Sequence, residues 1–233
     1  VRMLDVALFT KSNYLAYEEE GTKGVKTFYE NNAYFVDPSF FNVFSFPLIR
    51  GDKHTCLKEP NAVVISESVA KRYFGNKDPL NKTLTVIGSF PTKVTGVFAD
   101  PPENSHIKFS VLFPAANISS ENDLNTNWAW PEWYTYVLLA PGTDTKKLEA
   151  KFPAFVDKYL GNIQKELNFG SSFHLQPLTG IHLTSHFNKE AEINGSEKEV
   201  FFLSVIGVFI LLIAWTNYIN LSTAKSMERA KEV

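Results

Sequence analysis

The 233-residue chain carries a single cysteine, Cys56. One thiol excludes an internal disulfide framework and any metal site built on paired thiolates. An excess of one charge is also missing: 23 basic and 25 acidic side chains leave a formal net charge of −2, without the basic surplus that a nucleic-acid binder sets against phosphates. No nucleic-acid partner is expected. The chain has no Walker-type phosphate loop and no Gly-x-Gly-x-x-Gly, so no nucleotide site is recognisable in it. Internal repeats, heptad runs and low-complexity tracts are absent as well, which excludes solenoids and coiled coils. With 44% hydrophobic and 21% charged residues, the chain can still bury a core. At roughly 100–200 residues per domain, its length allows one domain or two small ones.

The longest local absence is of charge. No charged residue occurs from Val200 to Ala224, and Val200 to Trp215 reads VFFLSVIGVFILLIAW. At about 1.5 Å per helical residue the uncharged run spans roughly 37 Å, more than the roughly 30 Å of a bilayer's hydrocarbon core. A transmembrane helix over 200–224 is therefore expected, in preference to a buried core helix, which would carry a polar stripe. Glu197, Lys198 and Glu199 precede the run, and Lys225, Arg229 and Lys231 follow it. That basic excess puts 225–233, the start of a cytoplasmic segment, inside and the residues before about 199 outside. Asn217, Asn220 and Ala224 share a helical face and are expected to pack against other membrane helices through amide and small side chains. Val6 to Phe9 is too short for the core of a secretory signal, so export is expected to depend on a segment upstream of Val1.

Along the rest of the chain, aromatic and β-branched runs alternate with helix signals, which predicts an α+β fold. Thr27 to Val36 reads as one strand, after which Asp37-Pro38 starts a helical turn through Phe44. Ala62 to Ile65 reads as a strand followed by a helix from Ser66 or Glu67 to Phe74, closed by Gly75. Thr83 to Ile87 and Lys93 to Phe98 flank Gly88-Ser89-Phe90-Pro91 at hairpin spacing. Trp133 to Leu139 reads as a strand, and Thr145 to Leu160 as a helix with Leu148, Phe152, Phe155, Val156 and Tyr159 on one face. Pro153 forces a kink or a restart in it, and Gly161 ends it. Phe173 to Leu178 then supplies a strand that completes a β-α-β unit.

Several residues invite chemical readings. Ser68-Val69-Ala70-Lys71 matches the Ser-x-x-Lys of penicillin-binding acyl-enzymes, in which a lysine one turn away helps activate a serine. No Ser-Asp-Asn follows, and Lys82-Thr83 is followed by Leu84 where that family has glycine, so Ser68 is expected to be an ordinary helix residue. His182 and His186, with Glu190 or Glu192, would offer metal ligands on a helix. Ile181 to Thr184 instead alternates like a strand, which sets the imidazoles roughly 13 Å apart; no metal and no cofactor is assigned. His106 is expected to hydrogen-bond within its own turn. Among 20 Phe, 9 Tyr and 4 Trp, Phe40, Phe41, Phe44 and Phe46 are expected in the core. Trp128, Trp130 and Trp133, close to Tyr134 and Tyr136, form a candidate substrate or partner surface, with packing as the alternative.

The blocks Val36 to Phe44 (VDPSFFNVF), Gly51-Asp52 and Val64 to Gly75 (VISESVAKRYFG) resemble the extracytoplasmic domain of MacB-like, FtsX-type ABC transporter permeases. Val94-Thr95-Gly96-Val97 with Pro101 to His106, Ile181-His182-Leu183, and Asn217 to Val233 follow in the same order. Asn81 stands where that family usually has Pro-Leu-Gly-Lys; asparagine tolerates a left-handed turn, so the turn should survive. The resemblance implies a porter-like part, 1–34 with 115–192, and a smaller inserted α/β part, 35–114, ahead of the second of four membrane helices. It further implies a homodimer in the bacterial inner membrane, a separate or fused cytoplasmic ABC ATPase, and in many members a periplasmic adaptor and an outer-membrane channel. On this reading the chain is not an enzyme; it couples ATP hydrolysis to export by mechanical transmission. A membrane-anchored extracytoplasmic ligand sensor and the Ser-x-x-Lys acyl-enzyme are the competing classes.

Overall fold

Residues 1–5, 14–18, 24–86, 90–118, 133–188 and 190–230 are described by the computed structural model. Chain contacts divide it into two units, Val1–Leu175 and Gln176–Val233. The first is built on one mixed sheet. Its strands are β1 (Arg2–Asp5), β2 (Tyr14–Glu18), β3 (Val25–Tyr29), β4 (Ala33–Val36), β5 (Leu48–Arg50), β6 (Ala62–Ser66), β7 (Thr83–Val86), β8 (Pro91–Phe98), β9 (Val111–Pro114) and β10 (Tyr134–Thr135). They lie in the order β10-β1-β4-β9-β6-β8-β7-β2-β3, with β5 added against β8. The pairs β4–β9 and β6–β8 are parallel and the others antiparallel.

The middle of the sheet is where the sequence is most apolar. Every residue of β4, β6 and β9 is buried, the mark of a strand covered on both faces. Helix α1 (Phe40–Val43) follows β4, and α2 (Glu67–Phe74) follows β6. Ser66 opens α2 by accepting the Val69 N–H, and Gly75 closes it at φ +63, donating its own N–H to the Lys71 carbonyl. Val69, Tyr73 and Phe74 are the buried face of α2, packed with Phe35, Val63, Ile65, Val111 and Phe113. Around α1, Phe40 meets Phe41, Phe44 and Phe109 with ring centroids 5.0–5.2 Å apart. Phe46, half-buried, lies 4.7 Å from Phe109. Each fully buried ring contributes roughly 1.5–3 kcal/mol of apolar transfer energy.

One of the two parallel connections of this unit is β6-α2-β7-β8, over Ala62–Phe98. The hairpin β7–β8 pairs Thr83 with Lys93 and Leu84 with Thr92, as its spacing predicts. A register shift in β6–β8 leaves Thr95 as an extra residue, its hydroxyl 2.7 Å from the Cys56 carbonyl. Gly51, at φ +93, lies against that bulge. A Cβ there would sit 2.5 Å from the Thr95 carbonyl oxygen, so only glycine fits.

Several expected elements differ. Thr27–Val36 is two strands: the chain breaks at Asn31-Asn32, so that β3 pairs with β2 at one sheet edge while β4 enters the centre. The Asn32 carbonyl accepts the N–H groups of Ser110 and Val111, tying the break to β9. Trp133–Leu139 shrinks to Tyr134–Thr135, paired with Met3 and Arg2 of β1, and the last bond to that strand runs from the Tyr136 N–H to the Val1 carbonyl. The helix of the second half is two helices, α3 (Thr145–Glu149), capped by Asp144, and α4 (Phe152–Leu167), with Pro153 in its first turn. That is the expected restart, placed where proline's missing N–H costs nothing. Gly161 does not end α4: it is buried within it, and Asn168 in left-handed geometry is the cap. Phe173–Leu178 forms no strand, so no β-α-β unit follows α4. In the second unit, Ile181–Thr184 is helix α5 rather than an alternating strand, with the Thr184 hydroxyl bonded to the Gly180 carbonyl. Helix α6 (Glu197–Ala230) completes the described chain.

Candidate functional site: the apolar helix and the loop that leads into it

Helix α6 has 34 residues, about 51 Å at 1.5 Å per residue. Its Glu197–Ser226 part reaches a mean hydropathy of 2.3, and none of its apolar window is buried. Large apolar side chains cover it all round, from Phe201 and Phe202 through Leu211 and Trp215 to Tyr218 and Leu221, each at least half exposed. Three of its hydroxyls bond within the helix: Ser204, Thr216 and Thr223 each donate to the carbonyl four residues back, at 2.7, 2.8 and 2.8 Å. That is the arrangement a hydroxyl needs where no water is available. Asn217, Asn220 and Ala224 do share one exposed face of the helix, at offsets of three and seven.

The loop ahead of α6 is held by its own polar groups. Ser185, 1% exposed, donates its hydroxyl to the Glu190 carboxylate, and the Phe187 N–H donates to the same carboxylate at 3.0 Å. The Asn194 amide donates to the Ser185 carbonyl at 3.2 Å, and the Gly195 N–H to the His182 carbonyl at 2.8 Å. The Val200 N–H then bonds Ser196, opening the helix without a gap. Asn194-Gly195-Ser196 is therefore a bonded clasp and not a loose turn. Sequence reasoning missed Ser185, Glu190 and Asn194 as a set, since each residue type is ordinary in a surface loop; only the run Asn194-Gly195-Ser196 gave a turn signal.

The other singled-out residues fall elsewhere. Trp128 and Trp130 lie outside the described residues. Trp133 is half-buried, packed against the core, with the Arg2 guanidinium 5.5 Å above its ring. His106 does not bond within its turn: its Nε2 lies 3.2 Å from the Tyr136 hydroxyl, and burial lowers its pKa. Among the described residues no group of three or more His, Cys, Asp or Glu is placed to hold a metal ion. Burial pushes the Cys56 thiol up to about 11, which keeps it protonated and unreactive at neutral pH.

Ser68 is exposed, and its hydroxyl donates to Asp100 at 2.5 Å while the same carboxylate accepts its N–H at 3.2 Å. Asp100 thus caps α2 from outside, and Ser68 is tied to a carboxylate rather than to Lys71. Ser68→Ala should cost no more than about 1 kcal/mol in urea unfolding. A fluorescent β-lactam should label wild type and variant equally poorly; labelling abolished by the substitution would revive the acyl-enzyme.

One buried carboxylate stands out in the first unit. Glu30, 3% exposed, sits at the break between β3 and β4. Arg72 Nη2 and the Tyr73 hydroxyl each lie 3.2 Å from its oxygens, and Ser110 is 3.5 Å away. Arg72 also covers the Phe28 ring at 5.5 Å, and Tyr73 reaches the Leu15 carbonyl at 3.1 Å. Burial raises the Glu30 pKa, and Arg72 works against that. Burial, reinforced by the Glu30 carboxylate, also raises that of Tyr73, which stays a neutral hydroxyl. The group joins α2 to β2, the β3–β4 break and the start of β9. A charged residue inside the aromatic run Phe28-Tyr29-Glu30-Asn31-Asn32-Ala33-Tyr34-Phe35 was the signal available for it.

Comparison with known proteins bears on the first unit. Among solved structures, a domain of a protein described as a permease from Porphyromonas gingivalis is 26% identical, with TM-score 0.55 over 68% of this chain and 68% of that one. The periplasmic region of MacB from Actinobacillus actinomycetemcomitans is 16% identical, with TM-score 0.47 over 73% and 77%. The extracellular domain of the noncanonic ABC-type transporter YknZ from Gram-positive bacteria is 11% identical, with TM-score 0.38 over 76% and 80%. No curated protein sequence matches. The model of the MacB-like periplasmic core domain matches residues 5–155, which takes in all ten strands but the first residues of β1. On that match the chain belongs to the MacB-like periplasmic core domain family, that of ABC transporter permeases, and its C-terminal apolar helix is long enough to cross a membrane.

Proposed function

We propose that the chain belongs to a permease subunit of the bacterial inner membrane, in which the outer domain passes on the force of ATP hydrolysis by a cytoplasmic ABC ATPase and thereby drives export. The observation that carries this reading is the bonded clasp of Ser185, Glu190, Asn194 and Gly195 running without interruption into α6. A helix that begins on a bonded loop transmits displacement; one that begins on a flexible tether does not. In this reading two copies pack through membrane helices, with Asn217, Asn220 and Ala224 on the packing face. The basic end of α6, at Lys225, lies in the cytoplasm and the residues before about 199 in the periplasm. The aromatic segment of Trp128, Trp130 and Trp133 is the surface assigned to substrate or partner, and a periplasmic adaptor with an outer-membrane channel would carry the substrate onward. The porter-like part is 1–34 with 115–192 and the inserted part 35–114; residues 1–34 would move with the inserted part, since β4 crosses that boundary and hydrogen-bonds to both sides.

Affinity purification of the full-length protein from membranes should bring down an ABC ATPase, and a membrane-impermeant maleimide should label a cysteine placed at Ser196 in intact cells but one at Lys225 only after permeabilisation. A preparation free of ATPase would remove the transporter reading; labelling of Lys225→Cys in intact cells would reverse the orientation.

A further inference from the structure

The loop between α5 and α6 holds two of the most exposed large apolar side chains outside α6 itself. Ile193 is 95% exposed and Phe187 is 74% exposed. They project from a segment that is otherwise well satisfied: Ser185 is buried, and Glu190 turns its carboxylate inward to the Ser185 hydroxyl and the Phe187 N–H. The polar groups of the loop thus bond one another while its apolar tips are left outside. In water that is the wrong way round.

Chain continuity says what covers them. Val200 opens the charge-free run, so it marks the edge of the hydrocarbon core, and Glu197 lies about 4.5 Å further out along α6. The headgroup layer beyond that edge is roughly 5–8 Å deep. Ile193 precedes Glu197 by only four residues, and the bond from the Gly195 N–H to the His182 carbonyl folds the connection back towards α5. The loop therefore has no room to stand clear of the bilayer that α6 enters. We propose that the 185–196 loop rests on the outer leaflet, with Phe187 and Ile193 seated in the lipid interface as an anchor beside the membrane helix. Apolar tips on a bonded loop suit that boundary: they enter the acyl region while backbone and carboxylate stay at headgroup level.

The inference rests on α6 crossing the bilayer, and the test separates the two claims. Nitroxide labels are placed one at a time at Phe187→Cys, Ile193→Cys, Leu211→Cys on α6 and Asn76→Cys in the exposed turn after α2, in the full-length protein. Cys56 stays in place, since its burial shields it from the label, and the parent chain is run as the unlabelled control. Collision with oxygen, which concentrates in lipid, is compared with collision with a water-soluble nickel chelate, in vesicles of phosphatidylethanolamine and phosphatidylglycerol. Labels at 187 and 193 should be shifted towards oxygen relative to Asn76→Cys, and less so than Leu211→Cys. If 211 reports lipid while 187 and 193 match Asn76→Cys, the anchor is wrong and α6 still spans. If 187 and 193 are shielded from both reagents, protein covers them, from a second copy or another helix, and the anchor is equally wrong. If 211 itself reports water, the spanning helix fails and the anchor with it.

Discussion

Inserting about ten Gly/Ser residues between Ser196 and Glu197 is expected to abolish export while leaving ATP hydrolysis by the reconstituted complex largely intact. The insertion separates two things that are bonded through one backbone: the clasp, closed by the Gly195 N–H on the His182 carbonyl, and the first turn of α6, closed by the Val200 N–H on Ser196. Neither the apolar run nor the basic flank at Lys225 is touched, so membrane insertion and the cytoplasmic end should be preserved. A flexible coil of ten residues has a root-mean-square span of roughly 17 Å with no preferred direction. That exceeds a displacement of a few ångströms at the top of a helix, so the coil absorbs the movement. Transport of a reporter substrate and phosphate release are measured on the same vesicles. Export at the parental rate would make α6 a passive tether and remove the mechanical reading.

Where a signal is local, the sequence shows the element. Helix α2 was legible because its cap, its apolar spacing and its terminal glycine lie within ten residues, Ser66–Gly75. The β7–β8 hairpin was legible from one turn. The break at Asn31-Asn32 was not, because what draws Glu30 inward is Arg72, 42 residues later. Gly161 looked like a stop, yet α4 buries it and runs on to a left-handed Asn168. The apolar run of α6 is composition alone and needs no partner to be read. The clasp that makes α6 interesting depends on four backbone and side-chain bonds, among residues whose types say only that they are polar. Trp133 shows the same limit from the other side: the Arg2 guanidinium 5.5 Å above its half-buried ring comes from the far end of the chain and is not visible in the run of aromatics.

Removing the positive partner of the buried carboxylate should have the largest effect on stability. Arg72→Ala is expected to lower the unfolding free energy of the excised outer unit, Val1–Leu175, by about 2–3 kcal/mol at pH 8, below the 3–5 kcal/mol typical of a fully buried pair. The discount is needed because the Arg72 side chain is 38% exposed while that of Glu30 is 3% exposed. The loss should depend on pH, and its sign is fixed. Burial raises the folded-state pKa of Glu30 above its unfolded value, so the native state holds the proton more tightly and stability falls as pH rises from the unfolded to the folded pKa. Arg72 opposes that rise. Without it the folded pKa moves further up, and stability keeps falling over a wider range of pH. Below the ordinary carboxylate range Glu30 is neutral in both states of both proteins, and only the lost packing of Arg72 on Phe28 remains. Urea unfolding of wild type and variant should therefore converge in acid and diverge towards pH 8. Adding Glu30→Gln to Arg72→Ala should recover part of the loss at pH 8, because the amide leaves no buried charge. A difference that stays constant from acid to pH 8, or a double variant no more stable than Arg72→Ala, would mean that Arg72 acts by packing alone.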